Sequence, residues 1–305
     1  MNVEVATEKD KRIIESLEKR WGSSHLAGIY LELLQIQTEA KSSATVARPN
    51  LSENLLRERL REGLPLLRFE DFRPDWNQVQ AVFRQIIDWA TADSEGSGRM
   101  HDHLKEIVTH PGLLKETAGA WYRGLSPKAS PLSQRIDAKV FTSVVGATVK
   151  PFLSAYSELL LPGVDQESWR RSYCPICGGS PDFTSLKEDG TRWLFCSRCD
   201  AGWLFSRIGC PYCGTRNQET LGYFTDEGQP GLYRLYVCDE CHTYLKGIDS
   251  RVSGEEVFLP LERVCTLDLD RQGEEKGYQA GWTTRGCYSG SSDVRAEEEK
   301  ERRIH

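Results

Sequence analysis

The sequence predicts an α+β fold: an N-terminal all-helical domain followed by two tandem four-cysteine modules of zinc-ribbon type. Three observations predict it. All ten cysteines lie after residue 173. Eight of them form four CxxC pairs, Cys174/Cys177, Cys196/Cys199, Cys210/Cys213 and Cys238/Cys241. The cysteine-free stretch before them carries apolar residues at helical spacing.

The predicted units are a helical domain over 1–168, four-cysteine modules over 169–205 and 206–252, a C-terminal extension with a short helix over 253–288, and a disordered tail over 289–305. In the helical part, Ile13, Leu17 and Trp21 share one face, and Ile29, Leu33, Leu34 and Ile36 continue it after a break at Gly22. Leu51 to Arg61 reads as a short charged helix that Gly63 ends. Residues 62–74 (EGLPLLRFEDFRP) read as an extended connector, because Pro65 and Pro74 interrupt the period. Asp75 is placed to cap a helix whose face is Val79, Val82, Phe83, Ile86 and Ile87. A Gly/Ser turn follows over 94–98, then two short helices split at Pro111. From Ser130 to Leu161 a long apolar stripe includes Ile136, Val140, Val144 and Ala147, and Pro151 is expected to kink or restart that helix. A last helix is expected over Asp268 to Tyr278, and the charged, apolar-poor end after Ser289 is expected to fray.

Composition narrows the function. The chain has 305 residues, 39 basic and 45 acidic side chains, and a net charge of −6. That balance argues against a protein whose main work is neutralising nucleic acid backbone. Val140 to Leu161 is interrupted by Lys150 and Glu158, so no membrane span is expected. The N-terminus has no apolar run after its charges, which predicts an intracellular protein without a secretory signal.

In a reducing compartment, four CxxC pairs read as metal ligation rather than disulfides. Each CxxC places two sulfurs on one side of a tight turn, and two facing turns supply a tetrahedral set for a zinc or a single iron ion. Sequential pairing gives C-x2-C-x18-C-x2-C and then C-x2-C-x24-C-x2-C. Each half opens with a C-P-x-C-G knuckle in which Gly178 or Gly214 occupies the left-handed position that completes the turn. Such units bury little apolar surface and draw on metal binding worth roughly 10–16 kcal/mol. Stripping the metal is therefore expected to collapse residues 173–249 and spare the helical part. No thioredoxin-like βαβ pattern surrounds any CxxC. Cys238 to His242 also matches a haem-attachment pattern, but both cysteines are needed to complete the second four-sulfur set.

Other residues have blander readings. His101, His103 and His110 are read as a solvated helix start, since His101 and His103 point apart on a helix. Arg192, Arg198 and Arg207 would offset thiolate charge, though solvated surface arginines are the commoner case. Trp193, Phe195, Trp203, Phe205 and Tyr212 are read as small strand cores rather than a base-stacking platform. Tyr244, Leu245 and Lys246 are read as completing the second module, and Asp268 and Asp270 as acidic residues at a helix start. No phosphate loop, Ser-His-Asp set or paired catalytic carboxylates is evident, so no catalytic residue is expected.

Five motifs in order carry a family resemblance: YCPICGGSP (173–181), WLFCSRCDAGW (193–203), RIGCPYCGT (207–215), VCDECHTYLKGID (237–249) and LDLDRQGEEKGY (267–278). Over Tyr173 to about Gly281 the chain resembles the FdhE family of formate dehydrogenase accessory proteins, and GLPLLRFEDF (63–72) looks like a shorter family motif. The resemblance implies a cytoplasmic, non-enzymatic factor needed to make active respiratory formate dehydrogenase. It further implies tandem rubredoxin-like modules holding iron in two mononuclear tetrathiolate sites, with zinc as the alternative, and the enzyme's catalytic subunit as partner. By position, Cys174, Cys177, Cys196, Cys199, Cys210, Cys213, Cys238 and Cys241 take the metal-ligand role. Cys265 and Cys287 match no family role. Two other classes remain open on the residues alone. A zinc-ribbon nucleic-acid-binding protein would use Arg192, Arg198, Arg207 and Arg216 beside the aromatics, and an iron–thiolate electron-transfer protein would use the sulfur sites themselves.

Overall fold

The computed structural model describes residues 24–46, 49, 52–91, 102, 104–107, 111–124, 138–225, 231–253 and 257–284. The expected helix around Ile13, the turn over 94–98, the three histidines His101, His103 and His110, Cys287 and the tail 289–305 lie outside the described residues.

Before the first cysteine the described chain forms helices α1 (Ser24–Ser43), α2 (Glu53–Glu62), α3 (Trp76–Thr91), α4 (Pro111–Tyr122) and α5 (Ala138–Leu160). Local chemistry sets their ends. The Ser52 hydroxyl accepts from the Leu55 amide at 3.3 Å, and Gly63, at φ +77°, closes α2 by donating to the Arg59 and Leu60 carbonyls. The Asp75 carboxylate accepts from the Asn77 amide at 2.9 Å and starts α3. The five-residue face foreseen on α3, from Val79 to Ile87, is wholly buried. Burying each such side chain contributes about 1.5–3 kcal/mol.

Of the two outcomes expected at Pro151, a kink or a restart, the restart does not occur: α5 runs unbroken from Ala138 to Leu160. A proline leaves the carbonyl four residues earlier, here that of Ala147, without its helical donor. Gln37 of α1 supplies one, its Nε2 donating to the Ala147 oxygen at 2.9 Å. The defect in one helix is thereby converted into a tie between two.

After residue 180 the chain builds one seven-stranded sheet. Its strands are β1 (Pro181–Leu186), β2 (Arg192–Cys196), β3 (Gly202–Phe205), β4 (Leu221–Thr225), β5 (Tyr233–Cys238), β6 (Thr243–Asp249) and the two-residue β7 (Gln279–Ala280). The order is β3-β2-β1-β6-β5-β4, with β7 paired to β6. Two antiparallel meanders, one per four-cysteine unit, are thus fused by the parallel pairing of β1 with β6, Phe183 opposite Lys246 through Leu186 opposite Asp249. At this seam Gly247 lies so close to Thr184 that an added Cβ would sit 2.5 Å from its Cγ2. The seam needs a residue without a side chain.

The C-terminal extension holds more than the one helix expected. Both α6 (Leu259–Cys265) and α7 (Leu267–Glu275) are present, and α7 ends at Glu275, three residues before the predicted range ends and two before Gly277 at φ +85°. Leu259, Val264 and Leu269 from these helices join Phe183, Leu235 and Tyr244 of the sheet in one apolar cluster. A second, larger cluster runs from α3 and α5 to the first unit's knuckles and on to Cys210 and Cys238.

Candidate metal centre

Four tight turns carry the eight cysteines. The residue after the second cysteine of each pair has a left-handed backbone: Gly178 (φ +70°), Asp200 (+59°), Gly214 (+81°) and His242 (+51°). In three turns that residue's amide reaches back to the first cysteine's carbonyl, Gly178 to Cys174, Asp200 to Cys196 and Gly214 to Cys210. Amides inside the turns point at sulfur: Ile176 donates to Cys174 Sγ at 3.3 Å, Arg198 to Cys196 at 3.4 Å and Tyr212 to Cys210 at 3.4 Å. Such donors stabilise thiolate over thiol.

The sulfurs gather in two groups, Cys174/Cys177/Cys196/Cys199 and Cys210/Cys213/Cys238/Cys241, each with its ligand atoms within 4.8 Å of one another. Neighbouring Sγ atoms are 3.4–3.5 Å apart in the first group and 3.6–3.7 Å in the second. A disulfide needs about 2.05 Å. Metal–sulfur bonds of about 2.3 Å set tetrahedral edges of about 3.8 Å. Both the spacing and the all-thiolate chemistry therefore fit one tetrahedral ion per group, and the same donor set accepts zinc or iron. Nine of the chain's cysteines are described, and none of the nine is in a disulfide.

Without an ion the four thiols of a group compete. Burial pushes Cys174 and Cys199 well above the usual thiol range. Burial raises Cys196 too, but hydrogen bonds from Cys174, Cys177 and Cys199 outweigh it and hold this thiol well below that range. In the second group burial lifts Cys210 to about 11, while Thr243, whose hydroxyl lies 2.9 Å from Cys241 Sγ, helps lower Cys241 against its own burial.

The first group is clamped from the helical side. The connector predicted over 62–74 lies along the first knuckle, its Leu66 and Leu67 amides donating to the Pro175 and Ile176 carbonyls at 2.8 Å each. Arg198 leaves the second knuckle, stacks 4.7 Å from the Trp121 ring centre and donates to the Tyr122 and Trp121 carbonyls at the end of α4. Lys150 of α5 pairs with Asp200 at 2.7 Å, and Arg263 of α6 pairs with Asp200 and, through two nitrogens, with Asp182. Burial works against the Asp200 carboxylate, yet Lys150 and Arg263 hold its pKa below the usual range.

Two expectations about arginine need correction. Arg192 and Arg198 are buried, not solvated, while Arg207 is exposed as expected. The reason is that each guanidinium finds carbonyl acceptors and an aromatic face. Arg192 donates to the Gly209 carbonyl at 3.0 Å and lies 4.9 Å from the Tyr236 ring centre. Two of the four arginines that a nucleic-acid reader would use thus lie inside the protein, and Arg207 and Arg216 remain exposed. Of the five aromatics read as strand cores, Trp203 and Phe205 are buried on β3, Trp193 and Phe195 are half-buried on β2, and Tyr212 is buried in a knuckle rather than a strand. Tyr244, Leu245 and Lys246 are buried in β6, and Asp270 is drawn inward, accepting from Lys246 at 2.6 Å and from the Tyr244 hydroxyl at 2.9 Å. Cys265 is buried in α6 among apolar side chains, outside both sulfur groups. His242 serves the fourth turn, its carbonyl accepting from the Gln279 amide at 2.8 Å.

Lys150, Asp182 and Arg263 carried no local motif and went unforeseen. The bracing role of Leu66 and Leu67 had one signal, the short GLPLLRFEDF motif that contains them.

No family model matches the chain. Curated proteins do. A "Protein FdhE homolog" of Aquifex aeolicus is 24% identical over 267 residues, 86% of this chain and 88% of its own. One from Shewanella oneidensis is 29% identical over 230 residues, 66% of this chain and 74% of its own. "Protein FdhE" of Escherichia coli is 29% identical over 149 residues, 45% of this chain and 47% of its own. Among solved structures, the crystal structure of the FdhE protein from Pseudomonas aeruginosa superposes with a TM-score of 0.61 at 22% identity, covering 89% of this chain and 92% of that one. At that identity the superposition speaks for the fold, and the sequence matches carry the kinship. Together they show that the chain is similar to the FdhE proteins in sequence and in fold.

Proposed function

We propose that this protein is an accessory factor for the assembly of respiratory formate dehydrogenase, itself without catalytic activity, acting in the cytoplasm. It would bind that enzyme's catalytic subunit through a metal-stabilised scaffold. The observation that carries the reading is the pair of four-sulfur groups built into a single sheet and braced by a helical layer, in a chain related to the FdhE proteins. Cys174, Cys177, Cys196 and Cys199 would hold one ion, and Cys210, Cys213, Cys238 and Cys241 the other, as rubredoxin-like mononuclear sites for iron, or for zinc. When bound, each ion cross-links two turns that lack a core of their own. The protein's side chains do the rest: Arg198 and the Leu66 and Leu67 amides fix the first knuckle pair against the helices, and Arg192 sits as a buried cation beside the second. The units 169–205 and 206–252 would then be two metal-dependent folding units sharing one sheet. Among the described residues no helix is long and apolar enough to cross a membrane, which suits a factor that meets its client before export.

The test is affinity purification of the tagged chain from formate-respiring cells, paired with deletion of its gene. Recovery of a formate dehydrogenase catalytic subunit and loss of formate oxidation on deletion support the proposal. A deletion strain with intact formate oxidation and no co-purified subunit rejects it.

A further inference from the structure

We infer that the two four-sulfur sites have different jobs: the first is a fixed structural anchor, and the second is the site where metal ions exchange. The inference deepens the metal-ligand reading above and rests on it. All four sulfurs of the first group are buried, and Cys174, Cys196 and Cys199 show no exposure at all. Every side of that group is occupied. The 64–72 connector covers one knuckle, Arg198 locks the other to the end of α4, and Lys150 and Arg263 meet on Asp200 beside it.

The second group is built from the same turns but has no ties to the helical layer among the described residues; its cover comes from the C-terminal segment, where Gly281 packs on Tyr212 and Tyr278 donates to Asp239. Cys213 and Cys241 are half-exposed. A cavity of about 290 Å³ opens against Cys210 and Cys238, bounded by Ile208 and Tyr223, two of the exposed large apolar side chains. Its knuckle loop, 207–216, bonds to itself, to the sheet through Arg192 on the Gly209 carbonyl and Tyr212 on the Pro181 carbonyl, and to Glu240 of the facing knuckle through Thr215, but not to the helical layer among the described residues. Strand β4 beside it is an edge strand of the sheet, and each of its residues is exposed or half-buried. A competing soft ligand, a thiol or a chelator, can therefore reach the second ion by opening one loop. Reaching the first requires the helical layer to part from the sheet. Local openings of this kind govern exchange. In the exchange the ion passes to the incoming ligand, and the freed thiolates take protons from solvent.

The experiment uses the full-length chain, zinc-loaded without oxygen, mixed with excess 4-(2-pyridylazo)resorcinol while the released metal is followed by absorbance. Pulsed alkylation with mass spectrometry then maps which cysteines react first. The expected result is two phases of one equivalent each, separated by about tenfold or more in rate. Cys213 and Cys241 should be labelled in the fast phase and Cys174, Cys177, Cys196 and Cys199 only in the slow one. Two ions leaving in one phase, or labelling of the first group as fast as the second, overturns the inference and leaves the ligand reading standing. A chain that holds fewer than two ions at the start overturns both. Mapping on the unmutated protein keeps the outcome independent of how cysteine variants fold.

Discussion

Asp200 concentrates much of the account in one residue. It takes the left-handed position of a knuckle, which an L residue enters at a cost that Asp and Asn bear better than most. Its carboxylate also joins α5 to α6 through Lys150 and Arg263. Replacing it by asparagine keeps the turn and removes the charge. D200N should cost about 1–2 kcal/mol at neutral pH, the range for a partly screened, hydrogen-bonded pair, read from urea midpoints of the metal-loaded chain. Because the folded carboxyl titrates below its unfolded value, this contribution is complete above the unfolded pKa of about 3.9 and fades as pH falls through the lower, folded one. The gap between wild type and D200N should thus hold at pH 5 and above and narrow only on strong acidification. A gap already closed at pH 5 would contradict the assignment. His242 makes the matching test of the haem-like pattern. Its ring is dispensable to a turn, so H242G should retain metal content unchanged by elemental analysis. The glycines of the knuckles were legible because a left-handed turn after CxxC asks for them. Asp200 and His242 were not, since a residue that tolerates this backbone without being glycine leaves no mark in a single sequence.

At the scale of elements, ties between neighbours decide more than propensity does. The five-residue face of α3 was readable because a 3.6-residue period repeats locally. The continuity of α5 was not, because it depends on Gln37, which is 110 positions from the carbonyl it satisfies. Q37A should cost about 1 kcal/mol in the wild-type background and clearly less when combined with P151A, where the restored amide serves Ala147 itself. Equal costs in both backgrounds, by chemical denaturation, would separate Gln37 from the proline. The parallel β1/β6 seam was equally hidden, since three antiparallel strands and two knuckles per half describe two separate modules as well as one fused sheet. Gly247 records the fusion. G247A should destabilise by about 1–3 kcal/mol through contact with Thr184, and T184S should recover part of that loss. An alanine accepted without cost would mean the seam is looser than the register implies.

Across the whole molecule, the cysteines belong to the larger core cluster together with α3 and α5. This modifies the expectation that chelation collapses only residues 173–249. The connector 64–72 and the end of α4 bond directly to the first knuckle pair, so loss of the first ion should loosen those segments while α3 and the middle of α5 stay protected. Hydrogen exchange before and after chelation reads this directly. Exchange unchanged at Leu66 and Leu67 would contradict the coupling. The sulfur sites themselves were nearly complete in the sequence, because metal coordination writes its demand as residue type and spacing. What surrounds them was not, because Lys150, Asp182, Arg198 and Arg263 come from four different elements and meet only in three dimensions.

The central claim is that eight sulfurs hold two ions and so pin four turns to one sheet as a rigid body. Metal analysis with an absorption spectrum of the chain purified without oxygen tests it most directly. Two equivalents of iron with ferric–thiolate bands on oxidation, or two of colourless zinc, together with eight thiols shielded from alkylation, is the predicted result. A folded, metal-free chain whose eight thiols react at once, or are joined to one another as disulfides, would contradict it.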